Sequence, residues 1–116
     1  MQGKRLDRVN QLIKEEISML LQRELKDPRL GFVTVTEVET SKDLRSAKIF
    51  VSVLGDDAQW KASMAALESA RGFVRNWLRH HLDLRVTPEL DFRPDHSLEH
   101  AARIQSILKQ VRASGS

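Results

Sequence analysis

The first 25 residues carry an apolar side chain every three or four positions. Lys14, Glu15 and Glu16 fall between the apolar positions, so one face of the segment is apolar and the opposite face is charged. This spacing predicts an amphipathic helix over residues 5–25, which ends where Asp27 and Pro28 disfavour helical backbone. The apolar positions are Leu6, Val9, Leu12, Ile13, Ile17, Leu20 and Leu21.

Two stretches with a period of two residues follow this helix. The β-branched alternation of FVTVTEVE predicts a strand over residues 32–39, and SAKIFVSVL predicts a second strand over residues 46–54. Only TSKDLR connects them, so we expect an antiparallel hairpin. Phe50 is the exception to the alternation, because it places an apolar ring on the otherwise polar face of the second strand.

A second helical pattern surrounds Gly72. Asp56 and Asp57 offer carboxylates that can cap its beginning. Because glycine inside a helix costs roughly 0.5–1 kcal/mol relative to alanine, we interpret Gly72 as a bend between two helical segments with different axes. The apolar stripe comprises Trp60, Met64 and Leu67 before the glycine and Phe73, Val74, Trp77 and Leu78 after it.

The alternation in LRVTPELDFR predicts a third strand, in which Pro88 requires an edge or a bulge. A last helix is expected from Leu98 to Val111. The order helix, strand, strand, helix, helix, strand predicts an α+β fold with the helices over one face of a small sheet. We divide the chain into a domain over residues 1–96, a C-terminal helical extension over 97–111 and a flexible tail over 112–116.

Composition restricts the possible functions. A chain of 116 residues suffices for one domain. The sequence contains no cysteine, which excludes thiolate catalysis, cysteine-bound zinc and a disulfide scaffold. No apolar run approaches the ~20 residues that span a bilayer and MQGKRLDRVN lacks an apolar signal core, so we expect a cytoplasmic protein without membrane contact. The net charge of +3 and the pI near 9.6 permit nucleic-acid binding if the cations cluster on one face.

The candidate site lies around Gly72. Arg71, Arg75 and Arg79 follow one another at four-residue spacing and so lie along one strip of a helix. A bend would also expose a helix amino terminus, whose backbone N–H groups favour phosphate. We therefore expect an RNA-binding surface at Ala70, Arg71, Gly72, Arg75 and Arg79. In the alternative interpretation, Gly72 only permits close helix packing and the arginines are solvated.

Weaker candidates for RNA contact lie elsewhere, and one of them, Arg8, has an alternative role in ion pairs on its own helix. These candidates are Lys4, Arg5, Arg8, Lys42, Arg45 and Lys48.

Other chemistries are not supported by the sequence. Trp60 and Trp77 fall on apolar stripes, which favours a place in the core over base stacking. His80 and His81 point roughly 100° apart on a helix and lack a third ligand, so we predict no metal site. His96 and His100 are four residues apart but straddle a predicted helix start. Since no nucleophile is paired with a base, we expect neither an enzyme nor a cofactor.

Three segments resemble the bacterial ribosome-binding factor A family over about residues 5–111. The element order is similar to the type II K-homology domain, but Ala70-Arg71-Gly72 replaces its GXXG turn, as in that family. The opening RVNQLIKEEISMLLQRELKDPRLGFVTVTEVETSKDLRSAKIFVSVLG is similar to the family's first helix and hairpin. LRVTPELDFRPDHSLEHAARIQSIL is similar to its third strand and closing helix.

The resemblance implies an assembly factor with a K-homology-like fold and a C-terminal helical extension. It implies binding to the immature small (30S) ribosomal subunit and 16S rRNA, assistance in late maturation and 5′-end processing, release afterwards, and support of growth in the cold. We expect a monomer with no small-molecule substrate. Two alternatives remain: a module that docks on a ribosomal protein or another assembly factor, and an enzyme that acts on precursor rRNA.

Overall fold

Three helices and three strands make up the computed structural model, which describes residues 2–114. The predicted α+β class is confirmed. None of the helices in this range is both long and apolar enough to cross a membrane. The elements are α1 (Gln2–Arg23), β1 (Phe32–Thr40), β2 (Ser46–Leu54), α2 (Asp57–His81), β3 (Glu89–Pro94) and α3 (Ser97–Ser114).

The three strands form one sheet in the order β1, β2, β3. β1 and β2 pair antiparallel, which confirms the predicted hairpin, and a bulge interrupts their register between Val35 and Glu37. β3 pairs with β2 in parallel, from Ser46 opposite Glu89 to Val51 opposite Pro94. Parallel neighbours require a crossover connection, and α2 supplies it.

The core lies between one face of the sheet and the two helices α1 and α2. The alternation in β2 buries Ala47, Ile49, Val51 and Val53, whereas Phe50 on the opposite face is half-buried. From α1, the predicted apolar face contributes Ile13, Ile17 and Leu20, all fully buried; from α2 come Leu67, Val74 and Leu78. Periodicity therefore predicted correctly which face of each of these elements is buried.

α2 begins with a reciprocal cap at Asp56. The Asp56 carboxylate accepts a hydrogen bond from the backbone N–H of Gln59 at 2.9 Å, and the Gln59 side chain accepts one from the Asp56 backbone at 2.8 Å. The predicted capping role of this segment is thus confirmed, with Asp56 as the capping residue.

α2 continues without interruption through Gly72, so the prediction of two separate helical segments is wrong. Leu67, Val74 and Leu78 stay in phase across the glycine and are all buried. Burying one such side chain stabilises by about 1.5–3 kcal/mol, more than the roughly 0.5–1 kcal/mol that glycine costs. Packing on both sides therefore keeps the helix continuous through the weak position.

The third strand is shorter than predicted. Residues 82–88 form an irregular connection, and β3 begins only at Glu89, after the buried Pro88. Proline has no N–H to donate, whereas the Glu89 backbone donates to the Arg45 carbonyl at 2.8 Å and so starts the ladder. Leu90 and Phe92 point into the core, as the alternation indicated.

α3 is anchored at its beginning and exposed along its length. The Trp60 indole donates to the Glu99 carboxylate at 2.8 Å, and Asp95 accepts from the Ser97 backbone at 2.9 Å. The helix continues to Ser114, beyond the predicted 97–111, so residues 112–114 are helical rather than part of a tail; residues 115 and 116 lie outside the described range. Exposed apolar side chains along it are Leu98, Ile104, Ile107, Leu108 and Val111.

Candidate nucleic-acid interface

The three arginines predicted for the site lie together on one side of α2. Their spacing places them beside Gly72 along one strip of the helix, where they face the connection that precedes β3. The result is a recess of about 270 Å³, called the α2 recess below. Its lining residues are Arg71, Gly72, Arg75, Asn76, Arg79, Thr87 and Glu89.

Gly72 is an open part of this surface. A Cβ placed on Gly72 would meet no atom within 4 Å, so the alternative that the glycine permits close helix packing is wrong. Since α2 is continuous there, the prediction of an exposed helix amino terminus is wrong as well. The positive charge of the recess therefore comes from arginine side chains, and Gly72 contributes bare backbone that another molecule can approach closely.

Arg75 differs from its two neighbours because it holds the adjacent backbone. Its Nε donates to the Pro88 carbonyl at 3.2 Å, and a terminal nitrogen donates to the Thr87 carbonyl at 3.0 Å. The same terminal nitrogen lies 3.5 Å from a carboxylate oxygen of Glu89. Arg75 thus fixes residues 87–89 against α2, and more than half of its side-chain surface is covered.

Arg71 and Arg79 have weaker local partners. Arg71 lies 3.2 Å from the Glu68 carboxylate in an exposed ion pair, and Arg79 donates to the Asn76 amide oxygen at 2.7 Å. Exposed pairs of this kind contribute only about 0–1 kcal/mol, so a phosphate can replace these partners at little cost. Ala70 packs partly against the core and is not among the residues that line the recess.

The weaker candidates lie in several different places. Arg5 and Lys42 meet at a second recess, called the hairpin recess below, whereas Lys48 lies opposite Glu39 and Asp91 on neighbouring strands. Lys4, Arg8 and Arg45 are exposed. Within residues 2–114 Arg8 forms no ion pair, so its alternative role is not supported. The hairpin recess is lined by Arg5, Leu6, Lys42, Asp43, Leu44, Arg85 and Val86.

Trp60 is buried and Trp77 packs against the core, as predicted. Trp60 is buried, and its indole N–H is engaged by Glu99. Trp77 is half-buried, donates to Glu16 at 2.9 Å and stacks on His81 at 3.8 Å. The exposed aromatic ring on α2 is instead Phe73, half of whose surface is accessible. The apolar stripe of α2 concealed this exposure, because helical spacing alone does not tell a core residue from a residue at the edge of the core.

Three of the histidine side chains contact neighbouring groups of the protein. His80 and His81 contact the backbone carbonyls of Asn76 and Trp77 through Nδ1, at 2.8 and 2.9 Å. His96 contacts Glu99 and packs against the Trp60 ring at 4.1 Å. Across residues 2–114, no three histidine, aspartate or glutamate side chains are grouped so that they could hold a metal ion.

Comparison with known proteins assigns the family. Residues 5–108 match the family described as ribosome-binding factor A. The chain belongs to this family. The ribosome-binding factor A of Halothermothrix orenii is 49% identical over 112 residues, which cover 97% of this chain and 92% of that protein.

Solved structures agree with this assignment. The crystal structure of ribosome-binding factor A from Thermus thermophilus superposes with a TM-score of 0.69 at 26% identity, covering 77% of this chain and 94% of that chain. A homology model of the Thermus thermophilus factor, fitted into the cryo-electron-microscopy map of its 30S complex, superposes with a TM-score of 0.64 at 26% identity, covering 75% and 91% of the two chains. The fold is thus the K-homology-like fold of ribosome-binding factor A, with an unbroken helix at the Ala70-Arg71-Gly72 position.

Proposed function

We propose that this protein is an assembly factor that binds the immature 30S ribosomal subunit through 16S rRNA, with the α2 recess on the phosphate backbone. Membership of the ribosome-binding factor A family and the likeness to a Thermus thermophilus factor fitted into a 30S complex support the partner. The observation that carries the site is the open backbone of Gly72 between Arg71 and Arg79, whose charges have only weak local partners.

The mechanism follows from these features. Arginine contacts to phosphate release counterions, which gives affinity and a steep dependence on salt. Gly72 lets the RNA backbone approach α2 without a side chain in between. Selectivity comes from the shape of one immature rRNA conformation, and tighter binding to that conformation raises its population.

Preferential binding to one rRNA conformation also explains the proposed roles in late maturation, in 5′-end processing and in the cold. Holding one conformation of 16S rRNA assists late maturation and leaves the 5′ end accessible to processing enzymes, so the factor itself acts without catalysis, cofactor or metal. Wrongly paired RNA persists longer in the cold, which makes the bias more important at low temperature. The factor acts in the cytoplasm as a monomer and leaves when maturation is complete.

The decisive experiment measures association of the purified protein with immature 30S particles at several salt concentrations. We expect Arg71→Gln/Arg79→Gln to weaken binding at least tenfold and to reduce the slope of log affinity against log salt by about 2, one for each phosphate contact. Arg75 is not substituted in this variant, because its side chain also holds residues 87–89 against α2. Lys61→Gln/Arg93→Gln is the control, since it removes the same charge from exposed residues outside the recess.

Two results would contradict the proposal. If the recess variant binds as tightly as the control variant, the particle is recognised through another surface, as expected for a module that docks on a ribosomal protein or another assembly factor. Incubation of the pure protein with precursor 16S rRNA and Mg²⁺ tests the enzyme alternative, because site-specific cleavage would be incompatible with binding alone.

A further inference from the structure

The hairpin recess combines an apolar floor with a basic rim. Three separate segments form it: the first turns of α1, the turn between β1 and β2, and the connection before β3. Its volume is about 240 Å³. Leu6, Leu44 and Val86 supply the apolar surface, and the rim carries three cations and one carboxylate, namely Arg5, Lys42, Arg85 and Asp43.

Leu44 has a backbone conformation that leucine rarely adopts. Its φ of 63° lies in the left-handed region, which glycine and asparagine occupy at lower cost. The turn is held by other groups: the Leu44 N–H donates to the Ser41 carbonyl at 2.9 Å, and Asp43 Oδ1 accepts from the Ser41 hydroxyl at 2.7 Å and from the Arg45 N–H at 3.1 Å. These hydrogen bonds hold the turn without any contribution from the leucine side chain. The presence of leucine at this strained position therefore indicates a separate role for its side chain.

The hairpin recess and the α2 recess are both lined by the connection before β3. Thr87 lines the α2 recess, while the two residues that precede it, Arg85 and Val86, line the hairpin recess. The connection that separates the two recesses is the one that Arg75 holds through the Thr87 and Pro88 carbonyls. An RNA strand that follows the arginines of α2 past this connection therefore reaches the hairpin recess next.

We propose that the hairpin recess is a nucleobase pocket that takes one unstacked base of the bound RNA. The base lies on Leu6, Leu44 and Val86, and its flanking phosphates contact Arg5, Lys42 and Arg85. The volume fits this occupant, because 240 Å³ is below the roughly 300–1,000 Å³ of pockets for drug-sized ligands and suits a single heterocycle. Sequence-specific recognition of RNA commonly uses such splayed bases. This inference rests on the proposed function as an RNA-binding factor.

The test compares three single-stranded RNA pentamers with equal numbers of phosphates: pentaadenylate, pentauridylate and an abasic pentamer. Methyl NMR of the full chain follows Leu6, Leu44 and Val86, and fluorescence anisotropy gives the affinities. We expect the two base-containing pentamers to shift these methyl signals and the abasic pentamer to leave them in place. Leu44→Gly should weaken binding of the base-containing pentamers about tenfold, or about 1.4 kcal/mol, without affecting the abasic one.

Leu44→Gly removes the side chain and relieves the backbone, so it should fold at least as well as the parent. Val86→Thr changes the same floor without altering the turn and should also weaken binding of the base-containing pentamers. Leu54→Ser is the matched control, because Leu54 is an exposed leucine opposite Phe32, at the other end of the hairpin.

The outcomes separate this inference from the proposed function. Unchanged affinity of Leu44→Gly and Val86→Thr for base-containing RNA overturns the pocket, even if Arg71→Gln/Arg79→Gln abolishes binding. A polyglutamate peptide that shifts the same methyl signals as strongly as RNA also overturns it, in favour of an acidic protein partner. Loss of affinity in Leu44→Gly alone, with Arg71→Gln/Arg79→Gln unaffected, supports the pocket and contradicts the role of the α2 recess.

Discussion

The hydroxyl of Thr36 donates to the carboxylate of Asp95 at 2.7 Å and thereby joins the bulge of β1 to the segment that follows β3. The same hydroxyl lies 3.3 Å from the Phe50 carbonyl on the central strand. Asp95 in turn accepts from the Ser97 backbone at the start of α3. The Thr36 side chain, in an irregular part of β1, thus connects this strand to β2 and to the segment between β3 and α3.

This contact predicts a pH dependence of stability. Hydrogen bonds from Thr36, and then from Ser97, hold the pKa of Asp95 below its ordinary value. A carboxylate with a depressed pKa in the folded state stabilises fully above its unfolded pKa of about 3.9, and the stabilisation disappears as the pH falls through the lower folded value. We expect Thr36→Val to lose about 1 kcal/mol or less at pH 7, since solvent reaches Asp95 and screens its charge, and the difference from the parent to shrink below pH 4.

Urea unfolding at pH 7, 5, 4 and 3 measures this difference directly. Thr34→Val serves as the control, because Thr34 lies on the same strand and is exposed. A gap between Thr36→Val and the parent that stays constant down to pH 3 would mean that the Asp95 charge does not contribute.

A second prediction concerns Ser63, a fully buried polar side chain on α2. Its hydroxyl oxygen accepts from the Gly31 N–H at 3.0 Å and lies 3.5 Å from the Arg29 carbonyl, so it holds the turn before β1 against the helix. Ser63→Ala removes the acceptor of this hydrogen bond, and because Gly31 is exposed water can replace it, so the free energy of unfolding should fall by about 0.5–1.5 kcal/mol. Ser69→Ala is the control, since Ser69 is exposed on the same helix and should change stability by no more than about 0.5 kcal/mol. Equal effects of the two substitutions would contradict the role assigned to Ser63.

The sequence predicted those parts of the fold that depend on the burial of apolar side chains. Alternation and helical spacing predicted β1, β2, α1 and the buried faces, because burial of apolar side chains decides these elements and leaves a regular pattern. The predicted break in the helix at Gly72 was wrong because a local preference worth less than about 1 kcal/mol was weighed without the packing of Val74 and Leu78.

Two features of the candidate site could not be predicted from the sequence at all. Arg75 binds the backbone carbonyls of Thr87 and Pro88, and every residue has a carbonyl, so no sequence pattern marks those partners. The positive φ of Leu44 has no signal either, because the glycine or asparagine that usually indicates such a conformation is absent. The clustering of Arg71, Arg75 and Arg79 was predictable, since it depends only on the geometry of one helix.

The third prediction separates stability from binding at Gly72. Because a Cβ there meets open space, Gly72→Ala should raise the free energy of unfolding by about 0.5–1 kcal/mol through better helix propensity. Gly72→Leu should also fold, but its side chain would occupy the surface where the RNA backbone approaches and so weaken association with immature 30S particles. Thermal unfolding and particle binding are measured on the same samples, with Ala65→Leu, an exposed position two turns earlier, as the control. Normal association of a stably folded Gly72→Leu would remove Gly72 from the interface.

The last prediction distinguishes the charge of Arg75 from its shape. Lysine keeps the positive charge, but its single ammonium group cannot reproduce the planar fork that donates to both the Thr87 and the Pro88 carbonyl. Arg75→Lys should therefore loosen the connection before β3, seen as faster hydrogen exchange at the Glu89 amide, and lower stability by about 1 kcal/mol. Arg79→Lys, by contrast, should alter neither quantity, because Arg79 contacts only the neighbouring Asn76. Exchange of the Glu89 amide at the parent's rate in both lysine variants would contradict this role of Arg75. The connection would then be held by the Glu89–Arg45 backbone hydrogen bond and the burial of Pro88, and Arg75 would act through its charge alone.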